Sequence, residues 1–395
     1  MMPIGELNPH LRLLLGPGPS PVHPRVLKAM ISHVVGHLDP DYLVVMDDCQ
    51  QMLRRLLGTK NRVTFPVSGT GSAAMEASVC NMIEEGDKAI ICINGVFGGR
   101  MADVADRYGA KIIRVEAPWG MPIDPQDVKK ALDANPDAVL VGIVHAETST
   151  GVLQPMEEIG QLCRKYGALL LMDCVTSLGG VPVDVDKWGV EIAYSGTQKC
   201  LSCPPGLAPI TFSERALGKA RERKGKVKSW YFDVTMVEKY WGQERVYHHT
   251  GPISMSYAIR EALRVVLDEG LEKRFARHAL ASKALQAGVE ALGLSMFAQE
   301  SFRTPTLNTV ALQPGMEDGT IRKRLLNDFD IEIGGGLGPV AGKIWRIGMM
   351  GHGATQANVV YLLSALEVIC RQMGYTSSVG PAMAAATRVY AEATS

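Results

Sequence analysis

ALLLMDCVTSLGGVPVDVDKWGVEIAYSGTQK, residues 168–199, contains two short apolar runs, ALLLMD and EIAYS, each of which stops at a polar residue. A continuous apolar run of this length reads as a strand buried on both faces, because a half-exposed strand alternates instead. The unit repeats in both directions. Upstream lie VTFPV (63–67), AIICIN (89–94), KIIRV (111–115) and AVLVGIV (138–144), and downstream LAPITF (207–212). Helical stretches separate them, among them GSAAMEASVCNMI (71–83), FGGRMADVADRYG (97–109) and MEEIGQLCRKYG (156–167). Strands alternating with helices predict an α/β fold with a mostly parallel seven-stranded sheet covered on both faces. In such sheets chemistry gathers at the carboxyl ends of the strands.

Beyond Gly251 the pattern changes. A long helical pattern runs from about Ser254 to Leu292 with a break at Gly270; TPTLNTVAL, GTIRKRLLNDF, IGGGLGP, KIWRIGMM and ATQANVVYLLSALEVICRQM follow it. We expect an N-terminal arm over 1–20, a large domain over 21–269 and a smaller C-terminal α+β domain over 270–395. The stretch from about Thr376, rich in Ala and Ser, reads as an interface tail or a frayed end.

At 395 residues the chain exceeds the usual single-domain size, which excludes a peptide hormone or a lone binding module. Lys plus Arg and Asp plus Glu are both 41, so no global field attracts nucleic acid or an anionic membrane. The basic run KARERKGKVKS (219–229) lacks the aromatic platforms of a nucleic-acid groove. Eight scattered cysteines, several inside apolar runs, suggest free thiols in a reducing compartment. The start lacks a basic stretch followed by a long apolar one, and no apolar run approaches the roughly 20 residues of a membrane span. The expected location is cytoplasmic.

Three local features carry chemistry. VSGTGSAAMEA places Ser68, Gly69, Thr70, Gly71 and Ser72 between a strand and a helix, where free backbone N–H groups and hydroxyls converge on a positive helix end. By itself this is equally a phosphate cup or a ligand-free Gly-rich turn. It is neither a P-loop nor a dinucleotide fingerprint, since no Lys-Ser/Thr follows and the glycine spacing is wrong. Asp173 ends one buried strand and Lys199 follows the end of another. Each alone could be a helix cap or a solvated turn residue. In order, however, they match the needs of pyridoxal 5′-phosphate: a phosphate site, an acid for the ring nitrogen and an amine for a Schiff base.

SGTGSAAMEA, HAETSTGVLQP, LLLMDCVTSLGG, YSGTQKCLSCPPG and YHHT together resemble the class V aminotransferases of fold type I, closest to the alanine–glyoxylate and serine–pyruvate enzymes. The resemblance runs from LLLGPGPS near residue 13 to KIWRIGMMG near residue 350. It implies that Lys199 bonds the cofactor and then shuttles a proton at the substrate α-carbon, and that Asp173 keeps the ring nitrogen protonated. It implies phosphate binding by Thr70, Gly71 and Ser72, joined by Gln198 and, across a homodimer interface, by Tyr247 and Thr250, with Ser68 also among the cofactor-binding residues. Thr148 is assigned to the cofactor's phenolic oxygen and Val175 to one face of its ring. Phe97 falls where the alanine–glyoxylate enzymes place a stacking Trp, and Ser72 replaces a His of the mammalian type. Its other reading is an ordinary core aromatic.

Arg346 is the expected ligand of the substrate α-carboxylate, because its planar fork binds carboxylate bidentately. Thr148 and Gly18 of the GPGP turn are expected beside the substrate. Cys200 and Cys203 form a C-x-x-C without a second ligand pair, and His248-His249 read as interface packing whose side chains point apart; no metal site is expected.

The expected function is transfer of the amino group of alanine or serine to glyoxylate or pyruvate by a ping-pong cycle. Alternatives are a specialised class V aminotransferase acting on pyridoxamine and pyruvate, 3-hydroxykynurenine or ureidoglycine, and a class V lyase. A cysteine desulfurase needs a mobile nucleophilic Cys, but none occurs between 203 and 370. A pyridoxamine–pyruvate enzyme has no use for a phosphate cup, and a nicotinamide-dependent dehydrogenase leaves Asp173 and Lys199 unexplained.

Overall fold

The computed structural model describes residues 5–394. Seven strands form one sheet: β1 (Val63–Ser68), β2 (Lys88–Ile93), β3 (Lys111–Glu116), β4 (Ala138–Val144), β5 (Leu169–Asp173), β6 (Ile192–Tyr194) and β7 (Leu207–Phe212). Their spatial order is β1-β7-β6-β5-β4-β2-β3. Only β7 runs antiparallel to its neighbours. The carboxyl ends of the other six strands therefore share one edge, with Ser68, Val144, Asp173 and Tyr194 along it.

The apolar runs are continuous because both faces are covered. Leu169 and Leu171 join one cluster with Leu140 and Ile91, whereas Leu170 and Met172 join another with Val141 and Ile90. β3 departs from this, exposing Lys111, Arg114 and Glu116, as suits an edge strand that must not pair further. Helix α1 (Gly71–Met82) is buried almost all round, with only Ser72 and Glu76 exposed. Helix α2 (Val96–Arg107) packs Met101, Ala102 and Ala105 onto the same face.

The long helical pattern is two helices, α3 (Ile253–Glu269) and α4 (Leu271–Ala291), separated by Gly270 at φ 83°, a conformation that only glycine adopts freely. α3 contributes Ala258, Ile259 and Leu263 to the large sheet's cluster, and α4 contributes Ala281, Leu285 and Val289 to a separate cluster around Trp345. That cluster lies on an antiparallel sheet of order β8-β9-β11-β10, comprising β8 (Ser295–Met296), β9 (Leu307–Ala311), β10 (Gly334–Gly335) and β11 (Ile344–Gly348). Near the N-terminus, Leu13 and Leu14 pair with Ile331 and Glu332, and Leu15 is buried in the same cluster.

The Ala-rich C-terminal stretch is not a frayed end. It forms helix α5 (Pro381–Thr394), which packs along α4 with Ala382 and Ala386 buried. Gly288 permits the approach, since a methyl there would lie 3.1 Å from the Ala382 carbonyl oxygen. All eight cysteines are buried and unpaired. Among the described residues no helix is long and apolar enough to cross a membrane, and no group of three or more His, Cys, Asp or Glu could hold a metal ion.

Candidate active site

A cavity of about 190 Å³ opens at the carboxyl edge of the large sheet, lined by Thr70, Gly71, Ser72, Phe97, Thr148, Asp173, Val175, Gln198 and Lys199. Nine residues predicted separately from sequence thus converge on one space. A larger cleft of about 740 Å³ lies elsewhere, around Arg54, Arg62, Arg221 and Glu238, but Arg62 and Arg221 both pair with Glu238 and none of the four belongs to the predicted site.

At one end Thr70 caps α1 without a side-chain hydrogen bond, so the Gly71 and Ser72 amides and its own hydroxyl remain available to an anion, while the Ala73 amide donates to the Thr70 carbonyl. Gly71 has no room for a side chain larger than a methyl, which would already touch Val175 at 3.3 Å. Ser68 turns away from the cavity and its Oγ lies 3.1 Å from His249 Nε2. His249 and His248 do not point apart as expected, because this segment is not a strand; their Nδ1 atoms are 2.9 Å apart.

At the other end Asp173 is buried, its Oδ1 accepting from the Val175 amide at 2.8 Å and its Oδ2 from the Tyr194 hydroxyl at 2.7 Å. Burial pushes its pKa up to about 6, against the lowering effect of those two bonds. Among the described residues no ion pair reaches it. The register pairs Asp173 with Tyr194 across β5 and β6, and Lys199 follows β6 by a tight turn. Burial, reinforced by Arg346, lowers the Lys199 pKa to about 8, so roughly a tenth of the amine is neutral near neutral pH, far more than for an ordinary lysine. Lys199 Nζ donates to the Pro17 carbonyl, while Ser20 bonds the Gln198 carbonyl through its N–H and the Lys199 carbonyl through its hydroxyl. The GPGP turn therefore reaches the site: Gly18, at φ 115°, lies so close that a methyl there would collide with the Lys199 side chain.

Thr148 is buried and its hydroxyl bonds that of Thr176. Arg346, on β11, reaches the site from the four-stranded antiparallel sheet, with Nε donating to Gly335 at 2.7 Å and one terminal nitrogen to the Thr148 carbonyl at 3.5 Å. It has no ion pair among the described residues, so its charge is unmatched there although two of its nitrogens donate to carbonyls. Tyr247 and Thr250 do not line this chain's cavity; Tyr247 is exposed beside His37, with ring centroids 5.1 Å apart.

Three participants escaped the sequence reading. Tyr194 was read only as strand. Arg100, one turn beyond Phe97, also lines the cavity. Glu147, fully buried, accepts the Phe97 and Gly98 amides at 3.1 and 3.3 Å and the Ser149 hydroxyl at 2.6 Å, fixing the start of α2 and hence Phe97. HAETSTG already marked Glu147 as a polar residue just beyond a buried strand.

The cavity fits pyridoxal 5′-phosphate. The Gln198 amide, whose Oε1 is buried there without a partner, would present its NH2 group to a phosphate when turned over, Asp173 is buried with only neutral donors, and the start of α1 has no side-chain cap. Thr70, Gly71, Ser72 and Gln198 would hold the phosphate, Asp173 the ring nitrogen, and Phe97 and Val175 the ring.

A family model for Aminotransferase class-V matches residues 13–350. The chain is 42% identical to an alanine–glyoxylate aminotransferase of Drosophila melanogaster over 361 residues, 90% of this chain and 91% of that one. The crystal structure of an alanine–glyoxylate aminotransferase from Nostoc sp. superposes with a TM-score of 0.92 at 48% identity, covering 94% of this chain and 98% of the other. That of a ureidoglycine–glyoxylate aminotransferase from Bacillus subtilis superposes with a TM-score of 0.96 at 42% identity, covering 98% and 100%. Geometry and likeness agree, and the chain belongs to the class V aminotransferases, fold type I enzymes that work with pyridoxal 5′-phosphate.

Proposed function

We propose that this aminotransferase takes its amino group from a small amino acid, alanine or serine, and delivers it to glyoxylate or pyruvate in a ping-pong cycle. The observation that carries this reading is the cavity itself: an anion cup, an uncompensated acid and a partly neutral lysine surround one small space, and the unpaired charge of Arg346 stands beside it. Bound there, the cofactor supplies the electron sink for amino transfer. Asp173, oriented by Tyr194 and the Val175 amide, holds the proton at the ring nitrogen. Lys199, once free, would carry the proton between the substrate α-carbon and the cofactor's aldehyde carbon, outward with the donor and back with the acceptor. Arg346 orients the substrate by its carboxylate.

We also propose a cytoplasmic homodimer. The eight unpaired thiols support a reducing location. Exposed Val34, Leu38, Trp230 and Tyr247, linked through the ring contacts His37–Tyr247 and Trp230–His248, form an apolar face that supports pairing of two copies around Tyr247 and Thr250. The extent of the match to the Bacillus subtilis structure supports ureidoglycine as a second donor. Absorption spectra of the purified protein test the reading, with alanine, serine, ureidoglycine and glutamate added in turn. Loss of the visible band with alanine or serine and its return with glyoxylate is the expected result. A band that only ureidoglycine bleaches would transfer the assignment to that donor.

A further inference from the structure

Arg100 has no part in the predicted site, yet it lines the cavity together with Thr70, Gly71 and Ser72. It sits on α2 one helical turn after Phe97, with its guanidinium 4.8 Å from the centre of the Phe97 ring and a terminal nitrogen 3.4 Å from Ser72 Oγ. Arg107 on the same helix pairs with Asp103, whereas among the described residues no carboxylate pairs with Arg100. A phosphate monoester brings a charge of about −1.5 to −2 near neutral pH. The cup as read from sequence meets that charge only with amides, hydroxyls and the Gln198 amide. Lys199 donates to Pro17 and Arg346 to Gly335 and Thr148, so both other cations near the cavity are engaged away from the cup.

We propose that Arg100 is the cation that neutralises the cofactor phosphate, its guanidinium steered onto the cup by the face of Phe97 and the Ser72 hydroxyl. The residue thereby selects the phosphorylated vitamer over the unphosphorylated one. The stack on Phe97 holds the guanidinium plane while its edge nitrogens remain free to bond anionic oxygens. The proposal rests on the cofactor and not on the identity of the amino donor, so a failed alanine assay leaves it standing.

The test is titration of the apoprotein, wild type and Arg100→Met, with pyridoxal 5′-phosphate and separately with pyridoxal, followed by absorption and intrinsic fluorescence. Met keeps an apolar stem over Phe97 and removes only the charge. The expected result is a rise of about tenfold in the dissociation constant for pyridoxal 5′-phosphate, as for loss of one partly exposed charge-assisted contact, with that for pyridoxal unchanged. Arg100→Lys should recover most of the lost affinity. An equal loss for both vitamers would mean that Arg100 acts through Phe97 alone and would overturn the proposal. So would unchanged affinity for both, or a wild-type protein that binds pyridoxal as well as its phosphate.

Discussion

The carboxyl edge of the large sheet and the seam to the small domain both bury charge, but they treat it in opposite ways. At the seam Glu269 accepts from Arg274 at 2.5 Å and from Arg277 at 2.6 and 3.0 Å. The remaining donors of the two arginines are spent on the carbonyls of Gly179, Cys200, Gly351 and Ala354. Burial pushes Glu269 up, but the two guanidinium groups outweigh it and leave its pKa below the ordinary value. At the edge, Asp173 has only neutral donors and Lys199 only a carbonyl, and both are driven toward their neutral forms, about 6 and about 8. Compensated charge ties the helix over 271–291 to the turns around it; uncompensated charge is held for a ligand.

The largest effect should come from removing the edge's amine. Lys199→Ala should abolish the visible absorption of the bound cofactor and lower turnover by at least about 10³-fold, since it removes both the covalent link and the proton shuttle. Transamination at the wild-type rate would break the comparison at its centre.

The two regions should next differ in the sign of their pH dependence. Asp173 has a raised folded pKa, so in the apoprotein its contribution is fully present below the ordinary carboxylate value and is lost as pH rises through about 6. That loss is on the order of 3 kcal/mol, and Asp173→Asn should abolish this dependence while crippling turnover. Glu269 has a lowered pKa, so its contribution is present above the ordinary value and is lost as pH falls. Glu269→Gln should cost about 3 kcal/mol near neutral pH, because it leaves the buried Arg274 without its anion. Urea unfolding of the apoproteins from acid to neutral pH measures both, and parallel pH profiles for the two variants would dissolve the distinction.

A smaller effect is expected where the small domain reaches the edge. Arg346→Ala should raise KM for donor and acceptor by about 10- to 100-fold, with kcat less affected, because the fork serves binding of both carboxylates. An unchanged KM in steady-state assays would remove Arg346 from substrate binding. The smallest effect belongs to Ser68. Its hydroxyl is occupied by His249 outside the cavity, so Ser68→Ala should shift cofactor affinity by less than about twofold. A larger loss in equilibrium titration would return it to the cup.

Much of this was legible from local patterns. The double-faced burial of β4 and β5 follows from continuous apolar runs, and Asp173 and Lys199 stand out because each interrupts or follows such a run. Thr70, Gly71 and Ser72 declare themselves as a turn between strand and helix. Tyr194 and Arg100 did not, since a tyrosine in an apolar strand and an arginine on an amphipathic helix have ordinary packing and solvation roles. Ser68 looked equivalent to its neighbours until its rotamer was seen.

The sequence by itself determined the class of the fold and the chemical repertoire of the strand ends, because hydrophobic periodicity and turn chemistry are set by residues a few positions apart. Only the tertiary structure decided what meets what. It inserts β7 in reverse between β1 and β6 and so lets the phosphate cup and the lysine turn flank the same edge. It lays Pro17 and Gly18 against Lys199, brings Arg346 to Thr148 from another sheet, and docks α5 on α4. Each of these contacts joins segments far apart in the chain. Such contacts depend on how whole surfaces fit and bury together, and no short-range pattern records that.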